Sequence, residues 1–192
     1  DTVEIIREMA VRERDAAALC AARRRAAGLP CPIVSVGSTP TATYSEDLTG
    51  VTEVRAGVYM FFDLFMAGLN VCAIDDIAVS VLATVIGHQP EKGWIITDAG
   101  WMAMSRDRGT AGQKIDQGYG IVCDLAGKPL DDLVVVSTNQ EHGIVGRRGG
   151  GALDAAKFPV GTLLSILPNH ACATAAQHDR SHVVDGDTRV TA

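Results

Sequence analysis

The sequence contains no run of about 18 apolar residues, so no membrane-spanning helix is expected. It has no basic surplus: 17 Lys and Arg stand against 23 Asp and Glu, a net charge of −6 that argues against a general nucleic-acid binder. Lysine is scarce, and none of the four (Lys92, Lys114, Lys128, Lys157) precedes residue 92. All lie near turn residues and read as surface groups. There is no CxxC spacing. The five cysteines, Cys20, Cys31, Cys72, Cys123 and Cys172, are an odd set that reads as reduced thiols in a cytoplasmic protein. The opening Asp1-Thr2-Val3-Glu4 lacks the basic start and apolar core of a signal peptide. No internal repeat is visible.

What is present is an ordinary apolar fraction, 47% of 192 residues, enough for one large domain or two small ones. Residues 2–27 predict a helix. Asp1 or Thr2 can cap it, with Glu4 three after Asp1 as in a capping box. Ile6, Met9, Ala10, Ala16, Ala17, Leu19 and Cys20 form its apolar stripe. Arg23, Arg24 and Arg25 suit its carbonyl end as a solvated run, and Gly28 and Pro30 stop it. Residues 32–36 read as a buried strand, 37–41 as a turn, and 51–55 as a second strand. This order fits the last units of a parallel α/β barrel.

Beyond about residue 75 the texture changes. Residues 77–86, 94–97, 119–123, 133–137, 144–145, 162–167 and 181–184 are strand candidates separated by glycine-rich breaks. No second long amphipathic helix appears. The expected organisation is α/β plus β: residues 1–70 as the C-terminal part of a barrel, and 71–192 as a mainly antiparallel β-domain. So few strands cannot close a parallel barrel, so the chain reads as the C-terminal half of something larger.

Two motifs carry chemistry. A strand ending in Gly37-Ser38-Thr39 offers close backbone approach and two hydroxyls to a phosphate, and Gly57-Val58-Tyr59 ends the next strand in the same way. An ordinary turn explains either loop taken alone. The second motif is His170-Ala171-Cys172 after Leu167-Pro168-Asn169. In an extended segment, residues two apart share a face, so imidazole and thiolate can reach one Zn²⁺. Two ligands leave positions open, as a catalytic metal requires. A buried cysteine beside a structural histidine is the plainer reading of an isolated His-x-Cys. His178 and His182 are possible third ligands, and His142 after Glu141 could orient a proton donor. His88 reads as a surface residue at a strand end. Asp98-Ala99-Gly100-Trp101 reads as a β-turn that could position loops.

Taken in order, residues 34–41, 53–63, 97–100, 141–143 and 167–174 resemble the metal-activated, fold type III pyridoxal-phosphate enzymes. That family holds D-serine dehydratase, D-threonine aldolase and the D-3-hydroxyaspartate enzymes. The resemblance implies an alanine-racemase-like (β/α)8 barrel followed by a β-domain, in a homodimer with no membrane or nucleic-acid partner. It implies that Ser38, Thr39, Gly57 and Val58 hold the phosphate of pyridoxal 5'-phosphate, with Tyr59 beside the cofactor as a catalytic candidate. It implies that His170 and Cys172 bind a divalent metal, zinc by their chemistry. The implied activity is a lyase on small D-3-hydroxy amino acids. Dehydration and deamination of D-serine or a D-3-hydroxyaspartate is preferred. Aldol cleavage, as by D-threonine aldolase, and a non-catalytic dimerisation module are the alternatives. No lysine stands where the family's Schiff-base lysine would, so the chain alone is expected to be incomplete.

Overall fold

The computed structural model describes residues 2–185 and the backbone of residues 188–190. The chain divides into two compact units, Asp1–Met60 with Leu69–Ala73, and Phe61–Gly68 with Ile74–Ala192.

The first unit opens with helix α1, Thr2–Ala26. The proposed Asp1 cap lies outside the described residues. The buried face of α1 keeps only part of the expected stripe. Ile6, Ala10 and Ala21 are buried, whereas Met9 and Leu19 are more than half exposed and Cys20 is exposed. The buried positions follow a helical repeat through Glu13 and Ala17, both half-buried. A charged residue on that face is tolerated because Glu13 Oε1 accepts the Gly37 N–H at 2.9 Å. Arg25 turns back to donate to the Cys31 carbonyl at 2.7 and 3.1 Å, so it is not simply solvated. Gly28, with φ +75°, ends the helix.

Two short parallel strands follow, β1 (Ser35–Val36) and β2 (Glu53–Val54), with helix α2 (Thr39–Tyr44) between them. Both strands are shorter than expected, and part of the predicted 37–41 turn is the start of α2. Gly37 has φ +151°, and a Cβ there would lie 2.2 Å from the Arg55 carbonyl oxygen. Only glycine lets the two strand ends approach so closely.

The second unit is a closed antiparallel barrel of six strands. These are β3 (Val81–Gln89), β4 (Trp94–Thr97), β5 (Gly120–Cys123), β6 (Pro129–Thr138), β7 (Gly143–Arg147) and β8 (Leu163–Pro168), in the order β3-β4-β7-β6-β5-β8. Each was anticipated as a strand within a few residues. Alternation sends Val81, Ala83 and Val85 of β3 inward, where they meet Ile95, Val122, Leu133, Val135, Val145, Leu164 and Ile166. Each Val, Leu or Ile among them contributes roughly 1.5–3 kcal/mol by leaving water. Strand β5 is buried along its whole length. Its outer face, with Ile121 and Cys123, packs on Leu64 at the start of helix α3 (Leu64–Gly68). That packing puts α3 in the barrel's unit. A further antiparallel pair is β9 (Val183–Asp185) with β10 (Thr188–Val190), of which the strand expected over 181–184 covers part of β9.

Two short helices complete this unit, α4 (Trp101–Met104) and α5 (Ala171–Ala175). The Asp98-to-Trp101 segment is a strand-to-helix corner and not a simple turn. Gly100 lies against the 139–142 loop, where a Cβ would meet the Gln140 carbonyl oxygen at 2.4 Å. The N–H groups of Gly100, Trp101 and Met102 all donate to carbonyls of that loop. Among the described residues, no helix is long and apolar enough to cross a membrane.

Candidate active-site elements

In the barrel unit, Asn169, His170 and Ala171 form the corner between β8 and α5. Each of the two flanking residues is pinned. Asn169 is buried, with Oδ1 accepting from the Thr110 N–H at 3.1 Å and Nδ2 donating to Thr110 Oγ1 and the Gly118 carbonyl, both at 2.7 Å. Its carbonyl accepts the Phe65 N–H at 3.2 Å. The Ala171 N–H donates to Asp63 Oδ2 at 2.8 Å, and Asp63 Oδ1 accepts from the Met66 N–H at 2.9 Å. Asp63 is fully buried and caps the first turn of α3.

His170 therefore projects from a fixed backbone. Its Nδ1 lies 2.7 Å from Asp107 Oδ2. An ionised carboxylate only accepts, so Nδ1 carries the hydrogen; in the neutral ring Nε2 then keeps its lone pair. Partial burial pushes the Asp107 carboxyl up, but the hydrogen bonds from His170 and the Gly109 N–H, and the positive charge of the ring when it is protonated, bring it below the usual carboxylate range. Cys172 is exposed in the first turn of α5. The extended geometry expected for His170-Ala171-Cys172 is thus corrected. His170 is extended (φ −142°, ψ 110°), but the chain turns helical at Ala171. The period-two argument does not apply, and the pair sits on a strand-to-helix corner instead.

The other histidines do not join them. His178 Nε2 lies 3.0 Å from the Ala103 carbonyl oxygen, and His182 is exposed. His142 is exposed too. His88 is half-buried, not a surface residue, with Nε2 2.6 Å from the Phe158 carbonyl oxygen. Among the described residues, no group of three or more His, Cys, Asp or Glu is arranged to hold a metal ion. This corner offers an imidazole from His170 and a thiol from Cys172. That donor set suits zinc, and the Asp107 contact gives the imidazole the carboxylate partner that metal-binding histidines usually have.

In the first unit, Ser38 caps α2, its Oγ accepting the Thr41 N–H at 3.3 Å and lying 2.9 Å from Thr41 Oγ1. Thr39 is buried, and its Oγ1 accepts the Tyr59 N–H at 3.2 Å. This bond joins the two loops that the sequence paired. Val58 opens a single 3-10 turn, Val58–Met60. A Cβ on Gly57 would meet nothing within 4 Å, so its backbone is open to a ligand. Tyr59 is 56% exposed. Clustered hydroxyls beside open glycine backbone fit a phosphate.

The four lysines are all exposed, and Lys92 lies over the Trp94 ring at 4.8 Å. Sequence reasoning missed Asp107, Asp63 and the role of Asn169. Asp107-Arg108-Gly109 carries an Asx-turn signal and Asp63 precedes a short apolar helix, so local signals existed for both.

Residues 78–184 match the family described as "Putative serine dehydratase domain", and the chain belongs to that family. The chain is 59% identical over 192 residues to D-threo-3-hydroxyaspartate dehydratase of Delftia sp. (strain HT23), a match that covers 99% of the chain and 50% of the relative. It is 30% identical to D-serine dehydratase of Dictyostelium discoideum, covering 96% of the chain and 47% of the relative. A solved structure of a D-threo-3-hydroxyaspartate dehydratase variant with a histidine replaced by alanine superposes with TM-score 0.95 at 59% identity, over 100% of this chain and 50% of that one. Another variant, with alanine for a cysteine two positions further on, is in a metal-free form. The chain spans about half the length of the curated relatives it matches.

Proposed function

We propose that this chain is the C-terminal part of a pyridoxal-phosphate- and zinc-dependent lyase. The lyase dehydrates and deaminates a D-3-hydroxy amino acid, a D-3-hydroxyaspartate or D-serine, to an α-keto acid and ammonia. The 59% identity to D-threo-3-hydroxyaspartate dehydratase over almost the whole chain carries this reading. In the same reading, residues 1–70 complete an alanine-racemase-like (β/α)8 barrel and 71–192 form the metal-carrying β-domain of a cytoplasmic homodimer.

Ser38, Thr39 and the backbone of Gly57 and Val58 hold the cofactor phosphate, and Tyr59 lies beside the cofactor. His170 Nε2 and Cys172 Sγ hold the metal and leave coordination positions for water or substrate. When bound, the cofactor supplies an electron sink at Cα and the metal a Lewis acid for the β-hydroxyl. Thr39 ties the two phosphate-side loops together through the Tyr59 N–H, so both present one rigid surface. The pinned backbone at Asn169 and Ala171 holds the metal ligands against displacement by a hydroxyl or water. The Schiff-base lysine comes from the half of the enzyme that precedes these residues in the longer relatives.

The test is product analysis on the protein at the length of its relatives. D-threo-3-hydroxyaspartate or D-serine is expected to yield α-keto acid and ammonia in a metal-dependent manner. Glycine and an aldehyde from D-threonine, with no ammonia from either hydroxy acid, would overturn the dehydratase reading.

A further inference from the structure

We infer that Asp107 is a positioning residue that fixes the tautomer and direction of the His170 imidazole, so that Nε2 is presented as the metal donor. This inference rests on the metal role proposed for His170, but its first readout does not need the metal.

The geometry is specific. Asp107 Oδ2 faces His170 Nδ1 at 2.7 Å, while Oδ1 is already engaged by the Gly109 N–H at 2.7 Å. The carboxylate therefore cannot rotate without losing one bond. Its loop is anchored on both sides. The Asp107 N–H donates to Ser105 Oγ at 3.2 Å, and Ser105 is a buried non-glycine residue at φ +74°. Such a backbone persists only where its surroundings hold it. Arg106 stacks over Trp101 at 5.6 Å, and Arg108 over Tyr119 at 4.9 Å while it pairs with Asp116 at 2.6 Å. A carboxylate brought 63 residues along the chain to an imidazole, on a loop fixed this tightly, is placed to orient the ring.

Free imidazole favours the hydrogen on Nε2, which would block that nitrogen as a ligand. Asp107 reverses the preference, because a carboxylate accepts and cannot donate. Asp107→Asn tests this with almost no change of shape. The Gly109 N–H keeps the amide oxygen, so the amide NH₂ faces His170 Nδ1 and forces the hydrogen to Nε2. The loop is retained and only the polarity of one hydrogen bond is inverted.

The experiment is a long-range ¹H–¹⁵N spectrum of the metal-free chain at a pH where the ring is neutral, followed by zinc titration. Wild type is expected to show the Nδ1–H tautomer at His170, and Asp107→Asn the Nε2–H tautomer, with the same thermal midpoint. Zinc affinity is expected to fall about 10- to 100-fold in Asp107→Asn and in Asp107→Ala. An Nε2–H tautomer in wild type, or a tautomer and zinc affinity unchanged in Asp107→Asn, would overturn the inference. A wild-type chain that shows the Nδ1–H tautomer but takes up no zinc would count against the metal reading instead, leaving Asp107 as the group that orders the ring.

Discussion

Asp63 Oδ2 accepts the backbone N–H of Ala171 at 2.8 Å across 108 residues of sequence. The acceptor is a fully buried carboxylate, and the donor lies between the two candidate metal ligands. This bond ties the corner that presents His170 to the helix that packs on the barrel's outer face.

Replacing Asp63 with alanine leaves the N–H groups of Met66 and Ala171 without an acceptor in the interior. Each orphaned donor costs roughly 1–3 kcal/mol. Denaturant unfolding of Asp63→Ala is expected to show a loss in that range or above. A midpoint within a few tenths of a kcal/mol of wild type would mean that water reaches the site and replaces the carboxylate.

Gly37→Ala meets two obstacles, a positive φ and the Arg55 carbonyl oxygen at 2.2 Å. The contact is with backbone, so a strand end must move. Overpacking of this kind costs roughly 1–3 kcal/mol. Urea unfolding followed in the first unit is expected to show the loss, and an unperturbed variant would place the Gly37 turn differently.

The thiols differ in reactivity. Burial, and then the neighbouring Asp124, push the Cys123 thiol up to about 11, so it stays protonated at neutral pH. Cys172 is exposed. Maleimide labelling of the native chain, read by peptide mapping, is expected to modify Cys172 and leave Cys123 intact until unfolding. Bound zinc is expected to protect Cys172. Labelling of Cys123 at the rate of Cys172 would contradict the buried packing of β5.

Asp47 supplies a test by pH. Hydrogen bonds from the Thr49 hydroxyl and N–H, and from Arg14, outweigh desolvation and hold its carboxyl at about 2. A depressed carboxyl stabilises the fold above its unfolded value near 4 and loses that contribution as pH falls toward 2. Carboxyl NMR titration should place the Asp47 midpoint well below that of an unpaired aspartate. An ordinary midpoint would show that the Thr49 and Arg14 contacts do not persist in solution.

Much of this molecule was legible from local pattern. The β4 strand, Trp94–Thr97, was placed to the residue, because apolar β-branched runs between glycine breaks are a local signal. The stripe on α1 was right at Ile6 and Ala10 but too wide, because Ala16, Met9 and Leu19 look as apolar as those two, and only the packing of β1 and α2 selects among them. The helical turn at Ala171, between His170 and Cys172, was not legible, since the strand before it suggested continued extension. Asp107 and Asp63 were missed for a different reason. Each has a recognisable local role, but their links to His170 and Ala171 span 63 and 108 residues and exist only once the barrel closes.

Zinc titration of the metal-free chain, with metal content determined on the purified product, tests the proposal that His170 and Cys172 together hold a catalytic metal. One zinc per chain is expected for wild type, with binding lost in His170→Ala and in Cys172→Ala while the barrel stays folded. No stoichiometric zinc in wild type, or uptake unchanged in both variants, would contradict it.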